Sequence, residues 1–137
     1  MITAVDTNVL YDILRPNLEF ARRSEEAIEK ADAAGVLVVC EVVYAELGGI
    51  FDAVEDCDQF LEDNRIGVEP LGRRACFSAG QLWSAYRERG GKREWILPDF
   101  LIAAHAQTQA SRLLTRDRGF YRQMFPDLVV VEPAGEW

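Results

Sequence analysis

Short apolar runs alternate with longer helical patterns along this chain of 137 residues. The clearest run covers residues 36–40 and reads Val-Leu-Val-Val-Cys, with a glycine before it and a glutamate after it. Unbroken apolar runs of this length are typical of strands that are buried on both faces of a parallel sheet. Similar runs predict further strands at residues 2–5, 66–71, 112–115 and 128–131.

Helical patterns separate the predicted strands. Thr7 and Asn8, which are good capping residues, precede a short helix that we expect to end near Arg15. Further helices are expected at residues 18–34, 41–51, 53–64, 72–89 and 98–108. Strands that alternate with helices favour a mostly parallel sheet with helices on both faces. We therefore expect an α/β fold in a single domain, residues 1–137, with a central sheet of four to five strands.

The composition argues against several classes of protein. Hydrophobic residues make up 49% of the chain, which is enough to fill the core of one domain. No apolar stretch approaches the length of a membrane span, so we expect a cytoplasmic protein that does not bind membranes. The net charge of -8 argues against a broad basic surface for nucleic acid, but it leaves room for a small contact made through a metal ion. The three cysteines form no CxxC pair and are expected to be reduced structural thiols.

Four acidic residues occupy positions from which an α/β fold brings side chains to one edge of its sheet. Asp6 and Asp117 follow predicted strands. Asp99 follows Pro98 at a predicted helix start, and Glu46 lies within an apolar helical stretch. Ligands of α/β folds collect at the carboxyl ends of the strands. Converging carboxylates repel one another unless a cation balances them, so the set predicts a hard-metal site for Mg2+ or Mn2+.

Each acid alone also has a purely structural interpretation. Asp6 and Asp99 suit the capping of a helix, because carboxylates accept hydrogen bonds from the free amides of a first turn. Asp117 suits an ordinary turn. Glu46 is flanked by apolar residues, and the pattern therefore places its charge close to the core. Four acids at matching positions in one short chain favour a metal site over four separate coincidences.

Other polar residues of the same segments are not expected to take part in catalysis. Glu41 lies a rotation of about 140° from Glu46 around a helix and is expected to be a solvated acid. Asp12 is likewise expected to be exposed. His105 lies about 240° from Asp99 around its helix, and its expected role is in packing or at the surface.

Four segments together resemble the PIN domain family, and in particular the VapC-type ribonuclease toxins of prokaryotic toxin-antitoxin pairs. The resemblance covers nearly the whole chain and is carried by Val5-Asp6-Thr7-Asn8-Val9-Leu10, Tyr44-Ala45-Glu46-Leu47, Pro98-Asp99-Phe100-Leu101-Ile102-Ala103-Ala104 and Leu114-Thr115-Arg116-Asp117-Arg118-Gly119-Phe120. One departure is Cys40-Glu41, where many relatives have a serine or threonine that caps the helix carrying the glutamate. This departure is expected to alter the entry into the helix more than the chemistry.

The resemblance implies a metal-dependent endoribonuclease, the toxin of a type II toxin-antitoxin pair, which cuts RNA phosphodiester bonds with a metal-activated water. The implied catalytic residues and ligands of Mg2+ or Mn2+ are Asp6, Glu46, Asp99 and Asp117. Asn8 and Thr115 take the supporting polar positions of the family. A cognate antitoxin and a homodimer are the implied protein partners.

Basic and aromatic residues near the acids leave two interpretations open. Arg116 and Arg118 flank Asp117 and suit either contacts with RNA phosphates or salt bridges with nearby acids. The aromatic residues at positions 83, 86 and 95 follow a helical pattern or lie close to one, and are expected in the core rather than stacked on RNA bases.

Two other functions are alternatives. A catalytically weak PIN-fold interaction module would bind a basic partner through its acidic face, although the intact acid set argues against it. A phosphatase with a strand-end aspartate as nucleophile usually has a second acid two residues later, where this chain has Asn8.

Overall fold

A single parallel sheet organises the computed structural model, which describes residues 1–15, 19–92 and 94–137. In chain order its strands within these residues are β1 (Ile2–Val5), β2 (Val36–Cys40), β3 (Ile66–Glu69), β4 (Arg112–Leu114) and β5 (Val130–Val131). All neighbouring strands pair in parallel, and their order across the sheet is β3-β2-β1-β4-β5.

Helices connect the strands and cover both faces of the sheet. Within the described ranges they are α1 (Thr7–Leu14), α2 (Ala21–Ala34), α3 (Glu41–Leu47), α4 (Val54–Asp63), α5 (Arg73–Glu88), α6 (Leu97–Gln109) and α7 (Arg118–Met124). This architecture confirms the predicted α/β fold class with its mostly parallel sheet.

β1 is the central strand of the sheet, and its carboxyl end lies beside that of β4. Val5 is in register with Leu114 of β4, so the residues that follow them leave the sheet side by side. Those residues are Asp6 and Thr115, and the backbone amide of Asp6 donates to the Leu114 carbonyl at 2.9 Å. Both are buried, because helices cover the strand ends from either face. Parallel pairing thus brings together two polar groups that lie far apart in the sequence.

Several predicted boundaries differ from the observed ones by a few residues. The helix predicted at 41–51 ends at Leu47, and the next one starts at Val54. The glycines at positions 48 and 49 explain the early end, since glycine is a poor helix former. The strand predicted at 66–71 stops at Glu69, before a proline that lacks a ladder donor. The predicted start of α2 at residue 18 and the proline at position 16 lie outside the described residues.

The short helix α7 was not predicted from the sequence. Its seven residues include a glycine at the second position, and its three apolar residues, at positions 120, 121 and 124, span little more than one turn. Such a segment gives almost no periodic signal. The helix nevertheless matters, because it buries Phe120 and Tyr121 beside the functional edge.

Candidate metal centre

Asp6 is the most buried of the four acids and lies at the end of the central strand. It is the N-cap residue of α1, and its Oδ1 accepts a hydrogen bond from the Thr7 amide at 2.8 Å. Its Oδ2 accepts from Thr115 Oγ1 at 2.7 Å and from Tyr121 Oη at 2.9 Å. Asn8 Nδ2 is a weaker donor to the same oxygen, at 3.3 Å. Asp6 therefore caps a helix and also lies at the centre of a polar network.

The surroundings of Asp6 raise its pKa from 3.8 to about 6. Burial is the largest cause, since a buried carboxylate loses its hydration. The hydrogen bonds from Thr115, Tyr121 and Thr7 act in the opposite direction, and the negative charge of Glu46 raises the pKa further. A buried carboxylate next to a second acid is the electrostatic condition that a bound cation relieves.

Thr115 and Asn8 connect the Asp6 network to the neighbouring strand end. The Thr115 hydroxyl accepts from Asn8 Nδ2 at 3.2 Å and from the Asp117 amide at 3.0 Å. With both of these donors pointing at its oxygen, the hydroxyl hydrogen is directed to Asp6. Asn8 Oδ1 in turn accepts from the Arg116 amide at 3.1 Å. The two side chains thus hold the β1 and β4 ends in one arrangement.

Tyr121 is a member of the network that sequence reasoning missed. It lies on α7, and because that helix was not predicted, nothing indicated that its phenol would turn towards Asp6. Burial and the charges of Asp6, Asp99 and Asp117 all raise the Tyr121 pKa. The phenol therefore keeps its proton and serves Asp6 as a hydrogen-bond donor.

Glu46 lies on α3 and is exposed, which corrects the prediction that its charge would be close to the core. The helix is only seven residues long, and its buried residues are Val43 and Leu47. Glu46 Oε1 accepts from Thr7 Oγ1 at 2.7 Å, and its charge contributes to the raised pKa of Asp6. The exposed carboxylate thus lies at the solvent side of the same edge.

We call the edge of the sheet that carries Asp6, Glu46, Asp99 and Asp117 the acidic edge. Asp99 and Asp117 form its other side. Asp99 is half-buried in the first turn of α6, where its Oδ2 accepts from the Ile96 amide at 3.0 Å. Burial raises the pKa of Asp99, and the charge of Asp117 adds to this effect. Asp117 is the exposed residue that precedes α7. The capping interpretation of Asp99 is therefore correct for one of its oxygens, and the second oxygen is not used by that bond.

The four acids share one neighbourhood but are not packed around one point. The charge of Glu46 raises the pKa of Asp6, and the charges of the other three acids raise the pKa of Tyr121, namely those of Asp6, Asp99 and Asp117. Among residues 1–15, 19–92 and 94–137, no three acidic, histidine or cysteine side chains lie close enough to hold one metal ion together. Ion pairs between the four acids and lysine or arginine are also absent from this part of the chain. The donor chemistry, which is all carboxylate oxygen, fits a hard cation, and binding one would draw the side chains together.

Arg116 forms a salt bridge with a buried acid, Asp12. Its Nε and Nη2 donate to the two Asp12 oxygens at 2.7 and 2.9 Å. Ser24 on α2 also donates to Asp12, at 2.8 Å. The prediction that Asp12 would be exposed is wrong, because α1 packs against α2 and turns Asp12 towards that helix. Arg118 makes a looser ion pair with Glu132, at 3.7 Å.

We expect Arg116→Ala to destabilise the protein more than Asp12→Ala does. Removing the guanidinium leaves a buried carboxylate whose one remaining side-chain donor within the described residues is Ser24, whereas removing Asp12 leaves a guanidinium that is 32% exposed and can bind water. Urea unfolding of both variants at pH 7 measures the difference. Equal losses, or a larger loss for Asp12→Ala, would contradict this assignment of the pair.

The remaining polar candidates have structural roles. His105 is buried and its Nε2 lies 2.9 Å from Glu69 Oε1, which agrees with the expected packing role. Glu41 is exposed, and its carboxylate accepts from the Leu71 amide at 2.7 Å. Cys40 precedes α3 without a side-chain capping bond, as expected from its replacement of serine or threonine.

The PIN domain family model matches residues 3–125 of the chain. A search of the curated proteins gives no match. Within the described residues, no helix is both long enough and apolar enough to cross a membrane.

Solved structures with this fold cover nearly the whole chain. VapBC-1 from nontypeable Haemophilus influenzae is 20% identical with a TM-score of 0.76, and the match covers 98% of this chain and 100% of that one. VapBC2 from Rickettsia felis, bound to a promoter DNA fragment, is 21% identical with a TM-score of 0.72, at 96% and 98% coverage. A toxin-antitoxin complex from Klebsiella pneumoniae is 19% identical with a TM-score of 0.69, at 98% and 99% coverage. At these identities the likeness shows the fold.

Proposed function

Because this chain belongs to the PIN domain family, we propose that it is a metal-dependent endoribonuclease of the VapC toxin type. The observation that carries the proposal is the buried Asp6 carboxylate, which has a raised pKa and shares its neighbourhood with three further acids. The proposed ligands are Asp6, Glu46, Asp99 and Asp117. Mg2+ or Mn2+ bound there supplies a Lewis acid that lowers the pKa of an attacking water beside a phosphodiester.

The chain's own residues position the Asp6 carboxylate for this role. Oδ2 accepts from Thr115, Tyr121 and Asn8, which fills the lone pairs that a carboxylate oxygen offers. Oδ1 accepts only the Thr7 amide within the described chain, so this oxygen keeps a lone pair for a cation. A cation at this edge would therefore be held by Oδ1 of Asp6.

The exposed acids leave the edge open to a polymer. Glu46 and Asp117 are exposed and Asp99 is half-buried, so an RNA strand can approach without local unfolding. With a net charge of -8 the surface does not attract RNA broadly, and affinity has to come from the metal and from a few basic residues. We propose single-stranded or loop RNA in the cytoplasm as the substrate, with Arg116 and Arg118 as candidate phosphate contacts.

The test is cleavage of total cellular RNA by purified, partner-free protein with Mg2+, Mn2+ or EDTA. The wild-type protein should produce discrete fragments with either metal and none with EDTA. Asp6→Asn and Asp99→Asn should remove the fragments, whereas Glu55→Gln, which changes an exposed acid on α4, should retain them. Folded wild-type protein that binds metal but leaves RNA intact would support the interaction module instead.

We further propose that the chain acts as a homodimer and binds a cognate antitoxin. The structural neighbours named above include toxin-antitoxin complexes. A groove of about 300 Å³ near α3 and α4, lined by Tyr44, Phe51, Val54 and Cys57 among others, offers apolar surface to an antitoxin helix. Val54 is 56% exposed there. Co-purification of a small basic protein with wild type, and its loss in Val54→Asp, would support this site; an unchanged yield in the variant would contradict it.

A further inference from the structure

A second pocket lies beside the acidic edge, on the side of Arg116. It has a volume of about 250 Å³, and we call it the Phe20 pocket. Its lining consists of Phe20, Arg23, Arg116, Glu132, Pro133 and Ala134. The pocket thus combines apolar surface, two guanidinium groups and one carboxylate. Arg116 directly precedes Asp117 in the chain, so one lining residue of the pocket is the chain neighbour of a proposed metal ligand.

The Arg116 wall of the pocket is held in place. The guanidinium lies over the Phe20 ring, with its central carbon 4.1 Å from the ring centroid. Two of its five N–H groups are used by Asp12, and no other described residue accepts a hydrogen bond from this guanidinium. The Arg116 amide is fixed to Asn8 by the bond described above. The side chain is therefore a preorganised donor connected to the Asp6 network.

The Glu132 part of the lining is held by the C-terminal turn. The Glu132 carbonyl accepts from the Gly135 amide at 3.0 Å and from Trp137 Nε1 at 2.8 Å. The Trp137 ring packs under Lys30 and Arg112, which lie 4.4 and 4.8 Å from its centroid. The Glu132 side chain is 33% exposed, and its ion pair with Arg118 is long, at 3.7 Å. Its carboxylate can therefore accept hydrogen bonds from a ligand.

We propose that the Phe20 pocket binds the guanine base of the RNA nucleotide next to the scissile phosphate, an inference that rests on the proposed ribonuclease function. The Watson–Crick edge of guanine carries two adjacent donors, N1–H and the N2 amino group, which match the two oxygens of the Glu132 carboxylate. Its O6 and N7 are acceptors that match a guanidinium, here that of Arg116 or Arg23. Phe20, Pro133 and Ala134 supply the apolar surface for the ring.

The other three bases match this arrangement less well. Adenine and cytosine each place a ring-nitrogen acceptor beside their amino group, and a carboxylate repels that nitrogen. Uracil has one donor between two acceptors, so it satisfies only one carboxylate oxygen. A wrong base therefore leaves a polar group of the pocket without a partner. The pocket should rank guanine first among the bases.

The test is a titration of the protein with the four nucleoside 5′-monophosphates, GMP, AMP, CMP and UMP. Amide resonances of Arg116, Glu132 and Ala134 are followed by NMR in EDTA, where cleavage and metal binding do not contribute. GMP should shift these resonances with an affinity about tenfold or more above that for AMP, CMP or UMP. Equal affinities for the four nucleotides, or no shifts with GMP, would overturn the proposal.

Two variants test the assignment of the pocket residues. Glu132→Gln should bring the GMP affinity down to that for AMP, because an amide cannot present two acceptors to the guanine edge. Phe20→Leu should weaken binding of all four nucleotides, since it removes both apolar ring surface of the pocket and the ring over which the Arg116 guanidinium lies. Glu55→Gln on α4 is the matched control and should change neither affinity nor ranking. A retained guanine preference in Glu132→Gln would overturn the role of this carboxylate.

Failure of this inference is distinguishable from failure of the nuclease. Nucleotide binding in EDTA does not depend on catalysis, whereas the cleavage assay does not depend on which base is selected. If the protein cleaves RNA but binds the four nucleotides equally, the assignment of the Phe20 pocket is overturned and the proposed nuclease activity stands. If the protein prefers GMP but does not cleave RNA, the proposal is also overturned, because it assigns the pocket to the base next to a scissile phosphate.

Discussion

Phe100→Ala should lower the free energy of unfolding by about 3–5 kcal/mol, the usual cost of removing a buried aromatic ring. The Phe100 side chain is fully buried at the centre of an aromatic cluster. Its ring centroid lies 5.8 Å from that of Tyr86, 5.3 Å from that of Phe120 and 6.1 Å from that of Phe125. The loss adds a cavity to the missing ring contacts. Urea unfolding of the purified variant measures it.

The same substitution should also change the relative position of Asp99 and Asp117 in the candidate site. Phe100 follows Asp99 on α6, and Phe120 follows Asp117 closely on α7, so the cluster fixes the separation of these two acids. Phe77→Ala on α5 is the matched control, because this ring is 71% exposed and its removal should cost less than about 0.5 kcal/mol. Similar losses in the two variants would contradict the assigned role of the cluster.

The buried Asp6 should make the metal-free protein less stable as the pH rises through about 6. Its pKa is about 6 when folded and near the ordinary 3.8 when unfolded, so between these values the folded state binds more protons. Stability contributed by the protonated group is complete below pH 3.8 and is lost as the pH approaches and passes 6. The full difference corresponds to about 3 kcal/mol.

Comparison with Asp6→Asn isolates this contribution, because other carboxylates titrate in the same range. The unfolding free energy of Asp6→Asn minus that of wild type should rise by about 2 kcal/mol between pH 4 and pH 7.5 in EDTA, since part of the full difference is already lost at pH 4. Any constant change that the asparagine makes to the unfolding free energy cancels when the difference is compared between the two pH values. Mg2+ at pH 7.5 should stabilise wild type and not the variant. A difference that is independent of pH would contradict a raised Asp6 pKa.

The sequence predicts much of the edge because parallel strands have a simple geometry. Asp6 and Asp117 were expected to follow strands whose ends meet at one edge of the sheet, and the register of Val5 with Leu114 brings the ends of β1 and β4 together. The proline before Asp99 similarly indicated the start of α6 to within one residue. In each case a signal within one short segment of sequence was enough to predict where the fold places the residue.

The rest depended on packing between elements that are distant in sequence. The exposure of Glu46 follows from the early end of α3, and the burial of Asp12 follows from the contact of α1 with α2. Tyr121 reaches Asp6 because α7, which is too short to give a clear periodic signal, turns it inward. The Arg116 salt bridge joins positions 104 residues apart. No periodicity within one segment encodes such contacts.

The central claim, that four acids form one divalent-cation site, is tested most directly by Mn2+ binding followed by electron paramagnetic resonance. Wild type should bind Mn2+, and Asp6→Asn, Glu46→Gln, Asp99→Asn and Asp117→Asn should each weaken binding by about tenfold or more. Glu55→Gln should bind as wild type does. Absence of Mn2+ binding by folded wild type, or unchanged binding in all four variants, would contradict the claim.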